Sequence, residues 1–196
     1  KPSSAASDVY KRQGKDIMNF HTLFWPALLD ASDFKKPSNV FVHGFMTLNG
    51  KKMSKSKGNF LLIDDYLNLL NPDYMRYFLA TKLSNGIDDL DLDLLDFQKK
   101  VNTDLVGKFV NIASRSQGFL KEFNNILSND LDEDLIDEFS NKKNEIFNHY
   151  LDRNYSKALK EIMALADKAN QHIDSNKPWI CPLYTSDAAD EGLGVD

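Results

Sequence analysis

Residues 50–59 read Gly-Lys-Lys-Met-Ser-Lys-Ser-Lys-Gly-Asn and carry the clearest chemical signal in the chain. Lys51, Lys52, Lys55 and Lys57 offer ammonium charge, and Ser54 and Ser56 offer hydroxyl donors, a set matched to a polyphosphate. One lysine–phosphate contact at ~4 Å is worth up to ~4 kcal/mol at an effective dielectric of ~20. Glycine at both ends allows the segment to move, so its charge can be brought up after a substrate has bound and favour the transition state over the ground state. A solvated basic turn is the ordinary alternative for such a run. This one differs in its flanking glycines and in following directly on a strand-like stretch. It is not a phosphate loop of the GxxxxGK[ST] type, which the sequence lacks.

Smaller groupings also qualify. Ile17 and His21 are four apart and share one face of a helix. On the residues alone they read as a core position and a satisfied histidine, and Asp16 as a helix N-cap. Asn111 and Arg115 have the same spacing, one turn from Lys108, and read as a solvated face or as donors and acceptors for unpaired base edges, with Trp179 as a stacking surface.

The elements that must position these residues follow from periodicity. Apolar residues Ile17, Phe20, Leu23, Phe24, Ala27 and Leu28 predict a helix over 16–31 with one buried face, kinked or split by Pro26. Residues 39–48 are rich in β-branched and aromatic types between Pro37-Ser38 and Asn49-Gly50, which predicts a strand. Short helices are expected at 64–70 and 73–83, the second opened by Asn71-Pro72-Asp73. A stripe of Phe97, Val101, Leu105, Phe109, Ile112, Phe119 and Phe123 predicts one long helix over 94–123, followed by helices at 134–148 and 155–173. The acidic run 88–96 reads as a solvated connection with charge for a helix N-terminus.

Lys52-Met53-Ser54-Lys55-Ser56 reproduces the KMSKS signature of the class I aminoacyl-tRNA synthetases, and residues 43–50 and 57–59 resemble that family's passage into and out of it. Gly14-Lys15-Asp16-Ile17, residues 20–26, Lys36-Pro37-Ser38-Asn39, Lys82-Leu83-Ser84, Ile87-Asp88-Asp89 and residues 162–166 resemble the family's methionyl branch, so the likeness covers about 14–180. Leucyl, isoleucyl and cysteinyl enzymes share the loop, and a non-catalytic tRNA-binding module is the alternative of another class. The resemblance implies ATP-dependent activation of methionine, with Mg2+, and transfer to tRNA(Met). It assigns Lys52 and Lys55 to catalysis by neutralising charge on the β- and γ-phosphates, with no side-chain nucleophile. It further places Gly14, Asp16, His43 and Gly44 at ATP, Asp16 on the ribose and Gly44 beside adenine. Ile17 and His21 fall beside methionine, and Asn111, Arg115 and Trp179 at the anticodon.

The fold class implied is α/β plus all-α: the C-terminal part of a Rossmann-type catalytic domain with the lysine loop over 14–63, a connecting stem-contact-like region over 64–93, and an incomplete helical anticodon-binding domain over 94–180. The patternless stretches 1–13 and 181–196 read as disordered ends or as non-native sequence flanking a partial gene. The family's other ATP signature, HIGH, and the connective region where zinc is held do not occur. The expectation is a fragment, inactive and poorly stable alone. The single cysteine, Cys181, excludes an internal disulfide or a cysteine-based zinc cluster, so no metal ligands are assigned and a reducing, cytoplasmic setting is expected, without a membrane span. Net charge is −5, but it is segregated between the lysine loop and the acidic run, which keeps a nucleic-acid partner open. Oligomeric state is not legible.

Overall fold

The computed structural model describes residues 12–122 and 132–178, with the side chains of 12, 13, 55, 119 and 122 excepted. Two small sheets precede a helical half. In the first sheet, β1 (Arg12–Gly14) pairs in parallel with β2 (Phe41–His43), Gly14 opposite His43. The crossover between them contains a 3-10 turn (Lys15–Ile17), a π-helical turn (Phe20–Phe24) and α1 (Trp25–Ala31). Proline lacks an amide hydrogen, so Pro26 is accommodated at the start of α1, while the preceding turn closes through the bond from Trp25 N–H to the Phe20 carbonyl. The apolar face expected to be buried is not. Phe20, Leu23, Phe24 and Leu28 remain 53–69% exposed.

The strand predicted over 39–48 is broken. After β2 the chain leaves the first sheet at Gly44-Phe45 and enters β3 (Met46–Leu48), the centre of a second sheet ordered β4-β3-β5. β4 (Lys51–Lys52) is antiparallel to β3, and β5 (Leu90–Leu92) is parallel to it. The break has a physical cause in the acidic run. A Cβ on Gly44 would lie 2.0 Å from the Asp88 carbonyl oxygen, so only glycine permits that backbone contact. Phe45 N–H donates to Asp89 Oδ1 at 2.7 Å, and Leu90 N–H donates to the Phe45 carbonyl at 2.8 Å. Asp91 sits opposite Thr47, and Leu92 is 1% exposed in the core. Part of the expected solvated connection is therefore a strand.

α2 (Ile63–Leu69) and α3 (Pro72–Lys82) follow the expected pattern, with the Asn71 side chain accepting from Asp73 N–H at the head of α3. Tyr66, Phe78, Leu92, Phe97 and Val101 form the core between these helices, β5 and α4 (Leu94–Lys100). The long helix is continuous but uneven, with a π-helical segment (Val101–Val110) between α4 and α5 (Asn111–Glu122). Its wider turns rotate the predicted stripe. Phe97 and Val101 are buried, Leu105 is half-buried, and Phe109 is 57% exposed. Phe123 of that stripe lies outside the described residues. α6 (Glu133–Leu151) and α7 (Tyr155–Asn176) complete the half. No helix among the described residues is long and apolar enough to cross a membrane.

Candidate functional site

Two clusters gather the candidate residues. The first lies at the carboxyl ends of β1 and β2, where parallel strands ordinarily present ligand sites. Gly14 ends β1, His43 ends β2, and register places them side by side. Asp16 and Ile17 follow in the 3-10 turn, both exposed. Gly14 occupies the N-cap position of that turn, so Asp16 is not the cap that its type predicts. His21 Nδ1 donates to the Ile17 carbonyl at 3.0 Å, which fixes the ring one turn beyond Ile17 and leaves Nε2 as the ring's other polar atom. Trp25 meets His21 edge-on at 5.8 Å between ring centres. His43 Nδ1 donates to the Gly44 carbonyl at 2.8 Å. The close approach that Gly44 permits is to Asp88.

The lysine loop reaches the same end of the first sheet. Lys52 Nζ is 5.3 Å from the centre of the Phe45 ring, and Lys15 Nζ is 4.9 Å from it. Lys15 also pairs with Asp89 at 2.7 Å, and together with the Phe45 N–H it holds the Asp89 carboxyl below its ordinary range. Inside the loop, Asn59 ties the two arms. Its Oδ1 accepts from Ser54 N–H at 3.1 Å and its Nδ2 donates to the Lys52 carbonyl at 3.0 Å. Lys55–Lys57 form a 3-10 turn at the tip. The Lys55 side chain lies outside what is described. Among the described residues no group of three or more His, Cys, Asp or Glu could hold a metal ion.

The second cluster is a seam between the long helix and α7. Lys108 pairs with Asp167 at 2.6 Å, Asn111 Nδ2 donates to Asn170 Oδ1 at 3.1 Å, and Arg115 pairs with Asp174. All three pairs are 59 residues apart, so the two helices run in the same direction in fixed register. Asn111 and Arg115 thus share a face as their spacing predicts, but that face is turned to α7. The Arg115–Asp174 contact raises the guanidinium's pKa and lowers the carboxyl's. Trp179 lies outside the described residues. At the Lys108–Asp167 pair, an open cleft of about 590 Å³ is lined by Lys82, Lys100, Lys108, Lys157 and Lys160 with Asp104 and Asp167. In a chain of net charge −5 this is a local excess of cations.

Sequence reasoning missed Lys15, Phe45, Asp89, Asp91, Asn59 and the α7 partners. Two signals were available. The strict alternation Asp89-Leu90-Asp91-Leu92-Asp93-Leu94 is a strand pattern hidden in a charge run, and Asp167, Asn170 and Asp174 repeat at helical spacing.

Comparison with known proteins gives a consistent answer. A family profile described as tRNA synthetases class I (M) matches residues 3–117. A curated methionine–tRNA ligase from Vesicomyosocius okutanii subsp. Calyptogena okutanii is 53% identical over 175 residues, covering 88% of this chain and 32% of that protein. The chain thus spans about a third of that relative's length. Among solved structures, Mycobacterium tuberculosis methionyl-tRNA synthetase in complex with methionyl-adenylate superposes with a TM-score of 0.77 at 28% identity, covering 86% of this chain and 34% of that one. A second structure of that enzyme bound by methionyl-adenylate gives 0.79 at 27% identity, covering 90% and 36%.

Proposed function

We propose, from the premise that the chain belongs to the class I tRNA synthetases of the methionyl type, that it supplies the lysine-loop side of a methionine-activating site and part of a tRNA-reading helical domain. The finer arrangement is the carboxyl end of a Rossmann-type catalytic domain over 14–63, a connection over 64–93 and a helical anticodon domain from 94 to 180. In a polypeptide of the relatives' length, methionine's carboxylate attacks the α-phosphate of ATP. Methionyl-adenylate and pyrophosphate form, and the methionyl group then passes to tRNA(Met). Lys52 and Lys55 stabilise the charge that grows on the leaving phosphates.

The observation that carries this reading is the convergence at the Phe45 ring. Lys52 of the loop and Lys15 after β1 both reach it, next to the paired strand ends at Gly14 and His43. Phe45 follows His43 and Gly44 in the chain and Lys15 precedes Asp16, the residues proposed for ATP, while Ile17 and His21, proposed for methionine, follow Asp16, which supports the reading. Mg2+ accompanies ATP through the phosphates, a mode in which this ion keeps several waters and needs few protein ligands. The exposed stripe of Phe20, Leu23, Phe24 and Leu28 is the face on which the remainder of such a ligase packs. On the helical side, Asn111, Arg115 and Trp179 read the anticodon, and the lysine-lined cleft that includes Lys108, one turn from Asn111, suits RNA phosphates.

The test is a chimera in which residues 14–178 replace the matching third of the 53%-identical ligase. Methionine-dependent ATP–pyrophosphate exchange is expected. Lys55→Ala is expected to lower its rate by ~10²–10³ with methionine affinity unchanged. An unchanged exchange rate in that variant sinks the assignment.

A further inference from the structure

The lysine loop is closed on itself by Asn59 and touches Phe45 through Lys52, and its root is held separately. β3 and β4 are joined by Asn49-Gly50 alone, with φ of 50° and 72° respectively. Left-handed φ at both positions is the pattern of a tight two-residue hairpin, which Asn-Gly adopts most readily. This turn is held from outside, by the acidic run 41–45 residues further along. Asp91 Oδ1 accepts from Thr47 Oγ1 at 2.6 Å and from Gly50 N–H at 2.8 Å. Asn49 N–H donates to the Leu92 carbonyl at 3.1 Å, and Leu94 N–H donates to Asn49 Oδ1 at 3.2 Å. One carboxylate therefore grips both the last strand before the loop and the turn that launches it. The sequence places it there because Thr47 and Asp91 are register partners on adjacent parallel strands, with Leu92 next to it anchored in the core.

We infer that Asp91 is a positioning residue for methionine activation: it aims the lysine loop by pinning the Asn49-Gly50 turn, without touching a substrate. This inference rests on the ligase reading above. Catalytic charge pays off only in the right place, and a displacement of ~1 Å costs ~10²-fold in rate. When the Asp91 carboxylate is removed, Gly50 N–H loses its acceptor and Thr47 Oγ1 keeps only its longer bond to the Leu90 carbonyl, at 3.4 Å. The hairpin then pivots, and with it Lys52 and Lys55.

The experiment uses the chimera described above with Asp91→Ala, Asp91→Asn, Thr47→Val and Thr47→Ser. Exchange kcat is expected to fall ~10–10²-fold for Asp91→Ala. Asp91→Asn, which keeps an oxygen in place, should fall between it and the parent. Thr47→Val is expected to lose part of the rate and Thr47→Ser to retain it. Methionine Kd should stay within about twofold of the parent throughout, since Ile17 and His21 lie on another element. A merely structural role predicts the reverse, with methionine affinity and rate lost in proportion. That result, or an unchanged kcat in Asp91→Ala, overturns the inference. Should Asp91→Ala not fold, Thr47→Val decides by the same split. Amide hydrogen exchange supplies an arm independent of activity. Protection of Gly50 N–H should drop in Asp91→Ala, and unchanged protection overturns the proposal even if the parent chimera turns out inactive, an outcome that refutes the ligase reading separately.

Discussion

The sheet end and the helical seam hold their polar side chains by different means. At the sheet end, carboxylates of one segment accept backbone N–H groups of another. Asp89 takes Phe45 and Asp91 takes Gly50, across 44 and 41 residues. In the seam, three side-chain pairs meet at a constant offset of 59 residues on two preformed helices, and Asn170 Nδ2 adds one bond to the Lys108 carbonyl at 3.0 Å. The helices satisfy their own backbones, so the seam's pairs set register and presentation. At the sheet end the pairs set the path of the chain itself. Damage there should spread, whereas damage in the seam should stay local.

Glycine-to-alanine changes break this contrast most directly. Gly44→Ala forces a Cβ to 2.0 Å from the Asp88 carbonyl oxygen and 2.4 Å from its carbon, so two backbones must part. A cost of about 3 kcal/mol or more is expected, at the upper end of overpacking penalties. Gly118→Ala, in α5 with nothing among the described residues beyond its neighbours and its own helix backbone within 4 Å of the new Cβ, should stabilise by about 0.5–1 kcal/mol. Chemical denaturation of the two variants compares them. Similar midpoints would abolish the distinction.

Next in size is a buried pair under the helical half. The Tyr77 hydroxyl donates to Asp104 Oδ2 at 2.7 Å, and Lys100 reaches the same oxygen at 3.1 Å. Burial, and then Asp104, push the phenol's pKa well above its usual value. Tyr77→Phe leaves a buried carboxylate short of one donor, at about 1–3 kcal/mol. The loss should appear as a lower denaturation midpoint with an unchanged slope. A midpoint equal to the parent's would mean that Lys100 satisfies Asp104 alone.

These residues also show what the sequence made legible. The head of α3 could be read from Asn71-Pro72-Asp73, because capping is settled within four residues. The Ile17–His21 and Asn111–Arg115 pairs could be read from helical spacing for the same reason. The break at Gly44 could not, since it depends on Asp88 and Asp89, distant in the chain and outwardly typical of a solvated run. Periodicity located the stripe on the first helix but not its fate, because burial needs a partner surface and Phe20 and Leu23 stay exposed. The π-helical segment escaped as well: the same apolar spacing serves both helix types until the wider turn moves Phe109 outward. Local rules fixed the helices, and long-range backbone contacts fixed the sheets.

Acidification should separate the two regions more gently. The carboxyl of Asp89 is held low by Lys15 and then the Phe45 N–H, that of Asp91 by Thr47 and then the Gly50 N–H, and that of Asp174 by Arg115. A folded pKa below the unfolded value of ~3.9 adds stability that is present above that value and lost as pH falls through the folded pKa. All three contributions should therefore persist at neutral pH and disappear below about pH 4. Salt tells them apart. The Arg115–Asp174 pair is an exposed ion pair and weakens with ionic strength, while acceptance of a backbone N–H by Asp91 responds less. Protection of Gly50 N–H relative to its intrinsic exchange rate should be nearly indifferent to added salt at neutral pH and fall once Asp91 is protonated. Equal salt sensitivity in both regions would count against the contrast.

The smallest effect on stability is expected at Arg115. Asp174 is 62% exposed on its side chain, and such pairs rarely matter to folding because water and salt already screen them. Arg115→Ala should accordingly leave the unfolding midpoint of the chimera almost unchanged. Methionine-dependent pyrophosphate exchange should also be unaffected, since the seam lies on other elements than the strand ends and the lysine loop. What should change is the Michaelis constant for tRNA(Met), raised because a forked donor is gone from the face proposed to meet unpaired bases. Aminoacylation at limiting tRNA measures this. Were exchange and aminoacylation to fall together, Arg115 would be a structural strut tying α5 to α7, and the seam would do for the helices what Asp91 does for the loop.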